Sequence, residues 1–204
     1  MSKIILIPGF AVGLASPIVR RPLGTSASFT VFNAFMESGE AAVFHWGIEQ
    51  QVNFFQLINP VFLFRHYEKE KKLAQSTEVL ESLHQFLIKN QPEIIVAHSM
   101  GVFLLNNYLQ KFALPESIKK IVWVQSDDSR QRKINLSVSV CNLYCPWDPT
   151  LLVSSIYNRC WRVGLRKIKN DQVENILFPL WRPINLHTSS IRDRRLVKFI
   201  SSLI

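Results

Sequence analysis

A serine stands between a strand pattern and a buried helix pattern, and this arrangement constrains the fold more than any other feature of the chain. The apolar residues 94–97 precede Ser99 as a strand, and an apolar helical pattern follows over residues 102–112. The small residues Ala97 and Gly101 allow a sharp turn between them. The sequence therefore predicts a serine hydroxyl at the end of a sheet, beside a helix N-terminus that stabilises negative charge.

Strand patterns alternate with helical patterns along the chain, which predicts an α/β fold with a parallel sheet covered by helices on both faces. A long amphipathic helix is predicted over 68–89, and the last helix is predicted to begin at Ser190 with Asp193 as its capping-box partner. Further helices are predicted over 30–38 and 151–166, and strands over 3–7, 41–46, 93–98, 120–125, 138–145 and 174–180.

The length and composition favour one domain over residues 1–204, since 48% of the 204 residues are hydrophobic and can form a full core. No apolar stretch approaches the roughly 20 residues that span a bilayer. The apolar run 4–7 is shorter than the core of a signal peptide. The three cysteines, an odd number without metal-ligand spacing, fit a reducing compartment. We therefore expect a cytoplasmic protein that uses no metal and no cofactor.

The formal net charge of +9 is concentrated near the C-terminus. Residues 151–204 contain ten Lys and Arg residues against three Asp and Glu residues. Such a basic face attracts anionic membranes, nucleic acid or acidic partners through salt-sensitive forces. No nucleic-acid module accompanies it, so we expect no specific nucleic-acid partner. A solvated surface is the favoured interpretation, and peripheral contact with an anionic membrane or an acidic partner is the alternative. No oligomeric state is indicated.

The pentapeptide Ala97-His98-Ser99-Met100-Gly101 resembles the G-x-S-x-G nucleophile elbow of the α/β-hydrolase superfamily, with alanine at the first glycine position. This form is similar to that of small serine esterases and lipases without a large cap domain. The resemblance implies a three-layer α/β-hydrolase core with about six mostly parallel strands and Ser99 as nucleophile. The alternative is that Ser99 is only the N-cap of a buried helix.

In the superfamily the catalytic residues follow the order serine, acid, histidine along the chain. His187, the only histidine after Ser99, precedes the last predicted helix and occupies the position of the family's base. Asp148, which follows the fifth strand, occupies the position of the acid, and Asp127 or Asp128 after the fourth strand is the alternative. The other histidines are expected to be structural or peripheral; they are His45, His66, His84 and His98. Of these, His98 is expected to pack beside the elbow.

Two backbone amides are expected to form the oxyanion hole. One belongs to Met100, and the other to Phe10 in the segment Pro8-Gly9-Phe10, which resembles the family's His-Gly-X segment with proline in place of histidine. The aromatic segment 48–66 is expected either to form a small apolar flap beside the site or only to cover the sheet. A flap would favour an apolar or aromatic acyl group over a charged peptide.

The resemblance thus implies a serine hydrolase that cleaves a small-molecule carboxylic ester or thioester through an acyl-enzyme. Two alternatives remain. An acyltransferase would have the same triad and use another nucleophile than water. A non-catalytic member of the fold would bind a partner through the basic C-terminal face.

Overall fold

The computed structural model describes residues 2–10, 14–16, 21–22, 29–48, 50–51, 53, 55–56, 59–132, 137–178, 187 and 190–204. Its strands are β1 (Ile4–Ile7), β2 (Leu14–Ser16), β3 (Arg21–Pro22), β4 (Ala41–Val43), β5 (Gln50–Gln51), β6 (Ile94–His98), β7 (Lys120–Val124), β8 (Ser139–Tyr144) and β9 (Val173–Leu177). Its α-helices are α1 (Asn33–Glu37), α2 (Pro60–Leu73), α3 (Thr77–Asn90), α4 (Met100–Lys111), α5 (Pro149–Tyr157) and α6 (Arg194–Ser201).

Six strands form one sheet in the order β4-β1-β6-β7-β8-β9, and every neighbouring pair is parallel. The predicted α/β class and the predicted parallel sheet are therefore confirmed. Because all strands point the same way, the ends of β6, β7 and β8 meet at one edge of the sheet. Ser99 follows β6 at that edge and Asp148 follows β8, so the topology brings these two residues near each other.

The central strands are buried on both faces because their apolar side chains alternate between two cores. One core contains Ile95 and Ile121, which pack with residues of α3 and α4. The other contains Val96 and Val122, which pack with Leu196 and other residues of α6. Helices therefore cover both faces, and this layering explains why the strands read as continuous apolar runs.

The predicted helix over 68–89 is wrong, because two helices occupy this region. Helix α2 begins at Pro60, whose fixed φ suits a first helical turn, and the Asn59 side chain caps it by accepting from the N–H groups of Val61 and Phe62. Ser76 caps the separate helix α3 by accepting from the N–H of Val79. These boundaries are set by the cap residues, which are polar and do not contribute to the apolar periodicity.

Three further expectations need correction. The last helix does not begin at Ser190, which lies in a 3-10 turn, and Asp193 is itself the N-cap of α6 rather than a capping-box partner. The helix predicted over 151–166 ends at Tyr157 because the chain turns there toward a short 3-10 helix at Val163–Leu165. A small sheet in the order β3-β2-β5, which is too short for a periodicity signal, was not predicted.

The predicted flap 48–66 is not a single element, and its described residues 55–56 are helical. Gln50–Gln51 belongs to the small sheet, and the stretch from Pro60 onward forms the first two turns of α2. Residues 49, 52, 54, 57 and 58 of the predicted flap lie outside the described residues. Among the helices that the structure describes, none combines the length and apolar character needed to cross a bilayer.

Candidate active site

Ser99 occupies a strained turn between β6 and α4. Its backbone angles, φ 53° and ψ −121°, are unusual for a residue with a side chain. Two backbone hydrogen bonds hold the turn: the Ser99 N–H donates to the Val124 carbonyl at 3.0 Å, and the Asp127 N–H donates to the Ser99 carbonyl at 3.1 Å. Ser99 is therefore not an ordinary N-cap, and its side chain caps no N–H of α4.

Two glycines allow the chain to approach itself closely around Ser99. A Cβ at Gly101 would collide with the backbone carbonyls of Ile7 and Pro8. A Cβ at Gly9 would lie 2.7 Å from the Cβ of Ser99 and 3.0 Å from the carbonyl oxygen of His98. The loop after β1 therefore lies directly against the elbow, and only glycine fits at either position.

The imidazole of His187 connects the serine to a carboxylate. Its Nε2 lies 2.7 Å from Ser99 Oγ, and its Nδ1 lies 2.6 Å from Asp148 Oδ2. The carboxylate accepts the proton on Nδ1, which leaves a lone pair on Nε2 to accept the Ser99 hydroxyl proton. The structure thus brings together the three side chains that the sequence predicted, although they are widely separated along the chain.

Asp148 is fully buried, and both of its oxygens accept two hydrogen bonds. Oδ2 accepts from His187 Nδ1 and from Gln125 Nε2, the latter at 2.5 Å. Oδ1 accepts from the N–H groups of Thr150 and Leu151 as the N-cap of α5. Burial alone would raise the pKa of Asp148, but the charge of His187 and the hydrogen bonds from His187 and from the Leu151 N–H outweigh it and lower the pKa. The carboxylate is therefore ionised at neutral pH.

His98 lies beside both the elbow and the base. Its Nε2 is 2.9 Å from the backbone carbonyl oxygen of His187, and since a carbonyl only accepts, Nε2 bears the proton and donates it. The two imidazole rings have centroids 4.9 Å apart. Burial, followed by the charge of His187, lowers the pKa of His98 to about 3. The ring is therefore neutral at pH 7 and holds the backbone that presents His187.

The alternative acids serve a different network. Asp127 accepts from Ser154 Oγ at 2.6 Å and forms a buried ion pair with Arg162 at 3.1 Å. Asp128 pairs with Arg132 at 3.1 Å. Burial raises the pKa of both carboxyls, although these cations oppose the effect. Since the carboxylate bonded to the His187 ring is that of Asp148, the structure does not favour Asp127 or Asp128 as the orienting acid.

The two predicted oxyanion residues both adjoin the elbow in the chain or in space, Met100 directly after Ser99 and Phe10 directly after Gly9. Met100 is the first residue of α4, and N–H groups at this position have no partner within the helix. Phe10 follows Gly9 in the loop packed on the elbow, and its ring contacts His66 and Tyr67 of α2 at centroid distances of 5.7 Å. The predicted oxyanion loop thus touches a helix that contains part of the predicted flap.

Sequence reasoning missed two side chains that support this site. Gln125 donates to the Asp148 carboxylate, and Trp46 donates from Nε1 to the Pro8 carbonyl at 2.9 Å, which anchors the oxyanion loop. The signal for Gln125 was a polar residue at the end of a buried strand. For Trp46 it was an indole N–H that needs an acceptor once its ring is buried.

The remaining histidines are elsewhere. His66 is buried and hydrogen bonds to Glu70 at 3.1 Å, and His84 hydrogen bonds to the Tyr108 hydroxyl at 3.0 Å. His45 is exposed two residues after the end of β4. Within the described ranges, no group of three or more His, Cys, Asp and Glu side chains is placed to hold a metal ion.

Comparison of the chain with protein-family models, with curated proteins and with solved structures finds no match. The chemistry of the site is therefore argued from its geometry. The Ser99 hydroxyl lies within hydrogen-bond distance of an imidazole that can accept its proton. A buried carboxylate orients the imidazole, and the N-terminus of a helix adjoins the serine. This arrangement is able to activate an alcohol as a nucleophile.

Proposed function

We propose that the chain is a serine hydrolase of the α/β-hydrolase type that cleaves a carboxylic ester or thioester. The observation that supports this most is the continuous hydrogen-bonded path from Ser99 Oγ through His187 to Asp148, with distances of 2.7 and 2.6 Å. The strained backbone of Ser99 at the end of a central parallel strand supports the same proposal. A serine that merely capped a helix would need neither feature.

In the proposed reaction Ser99 Oγ attacks the carbonyl carbon of the substrate, and its proton moves to His187 Nε2. The ionised Asp148 stabilises the resulting imidazolium and keeps its ring in place. The tetrahedral intermediate then collapses, the bond to the leaving alcohol or thiol breaks, and His187 protonates the leaving group. Water attacks the acyl-enzyme by the same route in reverse and releases the acid.

The negative charge on the carbonyl oxygen needs preorganised donors. We propose the N–H groups of Met100 and Phe10, since the first begins α4 and the second follows the loop held against Ser99 by the close approach of Gly9. Removing one such donor in comparable sites costs about 100–1000-fold in kcat. The N-terminal end of α4 adds a favourable partial charge at the same point.

A fluorophosphonate probe tests the proposal because it reacts covalently with activated serines. We expect the wild-type protein to be labelled and Ser99→Ala to be unlabelled, with strongly reduced labelling in His187→Ala and Asp148→Asn. The matched control is Ser126→Ala, which removes another buried serine that follows β7 and accepts the Asp128 N–H. Absence of labelling in correctly folded wild-type protein would overturn the proposal.

A substrate panel tests the bond and the acyl group. We expect turnover of nitrophenyl esters to rise with the length of the acyl chain, because the Phe10 ring of the proposed oxyanion loop, which packs on the rings of His66 and Tyr67, offers apolar surface beside Gly9. Equal turnover of a charged peptide amide would argue against an apolar acyl substrate. Labelling by the probe without hydrolysis of any ester would indicate acyl transfer to another nucleophile.

A further inference from the structure

Helices α2 and α5 bury several polar side chains and expose several apolar ones, although α2 also exposes Arg65, Lys69 and Lys72 and α5 also buries Leu151. In α2 the buried residues are His66 and Glu70, whereas Val61 is 57% exposed. In α5 the buried residues include Ser154 and Ser155, and the exposed ones include Leu152, Val153, Ile156 and Tyr157. A helix at an ordinary protein surface shows the opposite arrangement.

A buried polar network explains why the polar faces point inward. Asp127 accepts from Tyr67 of α2 at 3.0 Å and from Ser154 of α5 at 2.6 Å. Lys71 of α2 also donates to the Asn158 side chain at 2.7 Å, just after α5 ends. These bonds join the two helices beneath the surface and fix their rotation. The apolar residues of both helices are thereby held outward.

The outward residues form one continuous surface. The rings of Phe64 in α2 and Tyr157 in α5 stack with centroids 4.7 Å apart. Val153 and Ile156 are 52% and 79% exposed on the same face of α5. Contiguous apolar exposure of this kind marks an interaction site in soluble proteins. We name this surface the apolar platform; it consists of Val61, Phe64, Leu152, Val153, Ile156 and Tyr157.

The segment that forms α5 and follows it is basic, although the carboxylate of Glu68 in α2 lies beside Tyr157. Residues 149–170 contain five basic residues and no acidic residue. Arg162 is buried against Asp127, and the others are exposed: Arg159, Arg166, Lys167 and Lys169. Trp147 before the helix and Trp161 after it are exposed as well. Apolar residues bordered by tryptophan and by Lys or Arg are typical of segments that lie in a bilayer interface.

The apolar platform also adjoins the candidate active site. Asp148 is the N-cap of α5, so this helix begins at the residue that orients His187. Phe10 of the oxyanion loop contacts Tyr67 of α2. Any surface that covers the apolar platform therefore lies close to the activated serine.

We propose that the apolar platform docks onto an anionic lipid bilayer, with Ile156, Val153 and their neighbours inserted among the acyl chains. The exposed basic residues after α5 then contact lipid phosphates. A second copy of the chain fits less well, since a two-fold contact would bring the exposed Lys and Arg residues of α2 and of residues 159–169 in both copies close together, and these outnumber the partly exposed Glu68. The occupant with complementary charge is an anionic surface.

Docking does not depend on catalysis, but its consequence for the substrate rests on the proposed function. A hydrolase held in this way would take its acyl ester from the bilayer. Hydrolysis of a long-chain acyl ester in anionic vesicles would then require the apolar platform, whereas hydrolysis of a short soluble ester would not.

Vesicle flotation of the full chain tests the docking. We expect binding to vesicles of phosphatidylcholine with phosphatidylglycerol, weaker binding to phosphatidylcholine alone, and a decrease as ionic strength rises. Ile156→Ser is expected to weaken binding about tenfold or more because an inserted aliphatic side chain is lost. Arg159→Gln, at an exposed residue whose N–H donates to the Ile156 carbonyl, is expected to weaken it about fivefold.

The matched control is Ile88→Ser, since Ile88 is also a partly exposed helical isoleucine, at 46%, but lies on α3. It should bind vesicles as wild type does. Absence of binding to anionic vesicles, or equal binding of the two serine variants, would overturn the proposal. A stable dimer in solution that Ile156→Ser dissociates would also overturn it, by assigning the apolar platform to a second copy.

Parallel probe labelling in the absence of lipid separates this inference from the proposed function. Ile156→Ser should be labelled as wild type is, because it touches no residue of the triad. Labelling without vesicle binding would contradict the docking proposal and still support the proposed hydrolase function. Vesicle binding without labelling would contradict the proposed hydrolase function and still support docking.

Discussion

The Nε2 of Gln125 donates a hydrogen bond of 2.5 Å to Oδ2 of Asp148, and the same oxygen accepts the Nδ1–H of His187. The base is therefore oriented by a carboxylate that is itself fixed from a neighbouring strand, since Gln125 directly follows β7 and Asp148 follows β8 by four residues. Gln125 has a left-handed backbone conformation with φ 46°, which turns its side chain at the sheet edge. It is a positioning residue for the proposed reaction.

Gln125→Met is expected to lower kcat on a soluble nitrophenyl ester about 10–100-fold with little change in KM, because small displacements of a base have such effects. Gln125→Glu is expected to lower kcat further, since a second carboxylate would repel Asp148. The active fraction is counted by probe labelling. Equal loss of folded protein and activity in both variants would assign Gln125 a merely structural role.

The fold class was predictable because burial of the sheet on both faces leaves a strong signal in the strands. Residues 94–97 and 121–124 are continuous apolar runs, and both form central parallel strands. Helix boundaries were less predictable, since the caps Ser76 and Asp193 determine them and a capping side chain has no periodicity. The small sheet of two- and three-residue strands left no pattern to find.

The candidate triad was predicted from the residue order that the resemblance implies, and the parallel sheet then accounts for the nearness of Ser99 and Asp148, which follow strands at one edge. The supporting groups were not predicted, since their roles depend on rotamers and on long-range contacts. His98 illustrates this: its burial beside the elbow could be expected, but its bond to the His187 carbonyl joins residues 89 positions apart. The inverted polarity of α2 and α5 likewise follows from a buried network that no local pattern encodes.

Gly9→Ala is expected to reduce kcat about 100–1000-fold by displacing the loop that presents the Phe10 amide. The added Cβ would lie 2.7 Å from the Cβ of Ser99, closer than atoms tolerate, so the loop must move. Gly39→Ala is the matched control. Gly39 has φ 78° and open space around its Cβ position, so this change should lower the melting temperature and leave kcat intact. Full activity in Gly9→Ala would argue against the oxyanion loop.

Asp127→Asn is expected to lower mainly the stability of the protein, and Asp148→Asn mainly its catalytic rate. Asp127→Asn leaves the Arg162 charge buried without its partner, which we expect to cost about 3–5 kcal/mol of unfolding free energy. Its remaining folded fraction should still react with the probe. Asp148→Asn should lower kcat by about 10⁴-fold because the base loses its orienting anion. Urea unfolding and ester kinetics on both variants check this, and the reverse pattern would identify Asp127 as the acid.

The buried ring of His98 predicts a pH dependence of stability. Its pKa is about 3 in the folded protein and near 6.5 when unfolded, so between these values the unfolded chain binds more protons. Unfolding free energy should therefore be unaffected by His98 above pH 6.5. Below pH 6.5, protonation of this ring in the unfolded chain should lower the free energy of unfolding by up to about 1.4 kcal/mol per pH unit as the pH falls toward 3.

His98→Phe keeps a ring but neither titrates nor donates to the His187 carbonyl. We expect it to flatten the loss of stability between pH 6 and about 4, because wild type and variant share the raised pKa values of Asp127 and Asp128 and differ only at this ring. It should also lower kcat at pH 7 about tenfold, since the backbone of His187 loses its anchor. Urea unfolding at several pH values measures the first effect. Identical slopes in the two proteins would mean that burial does not lower the pKa of His98, and would contradict this prediction.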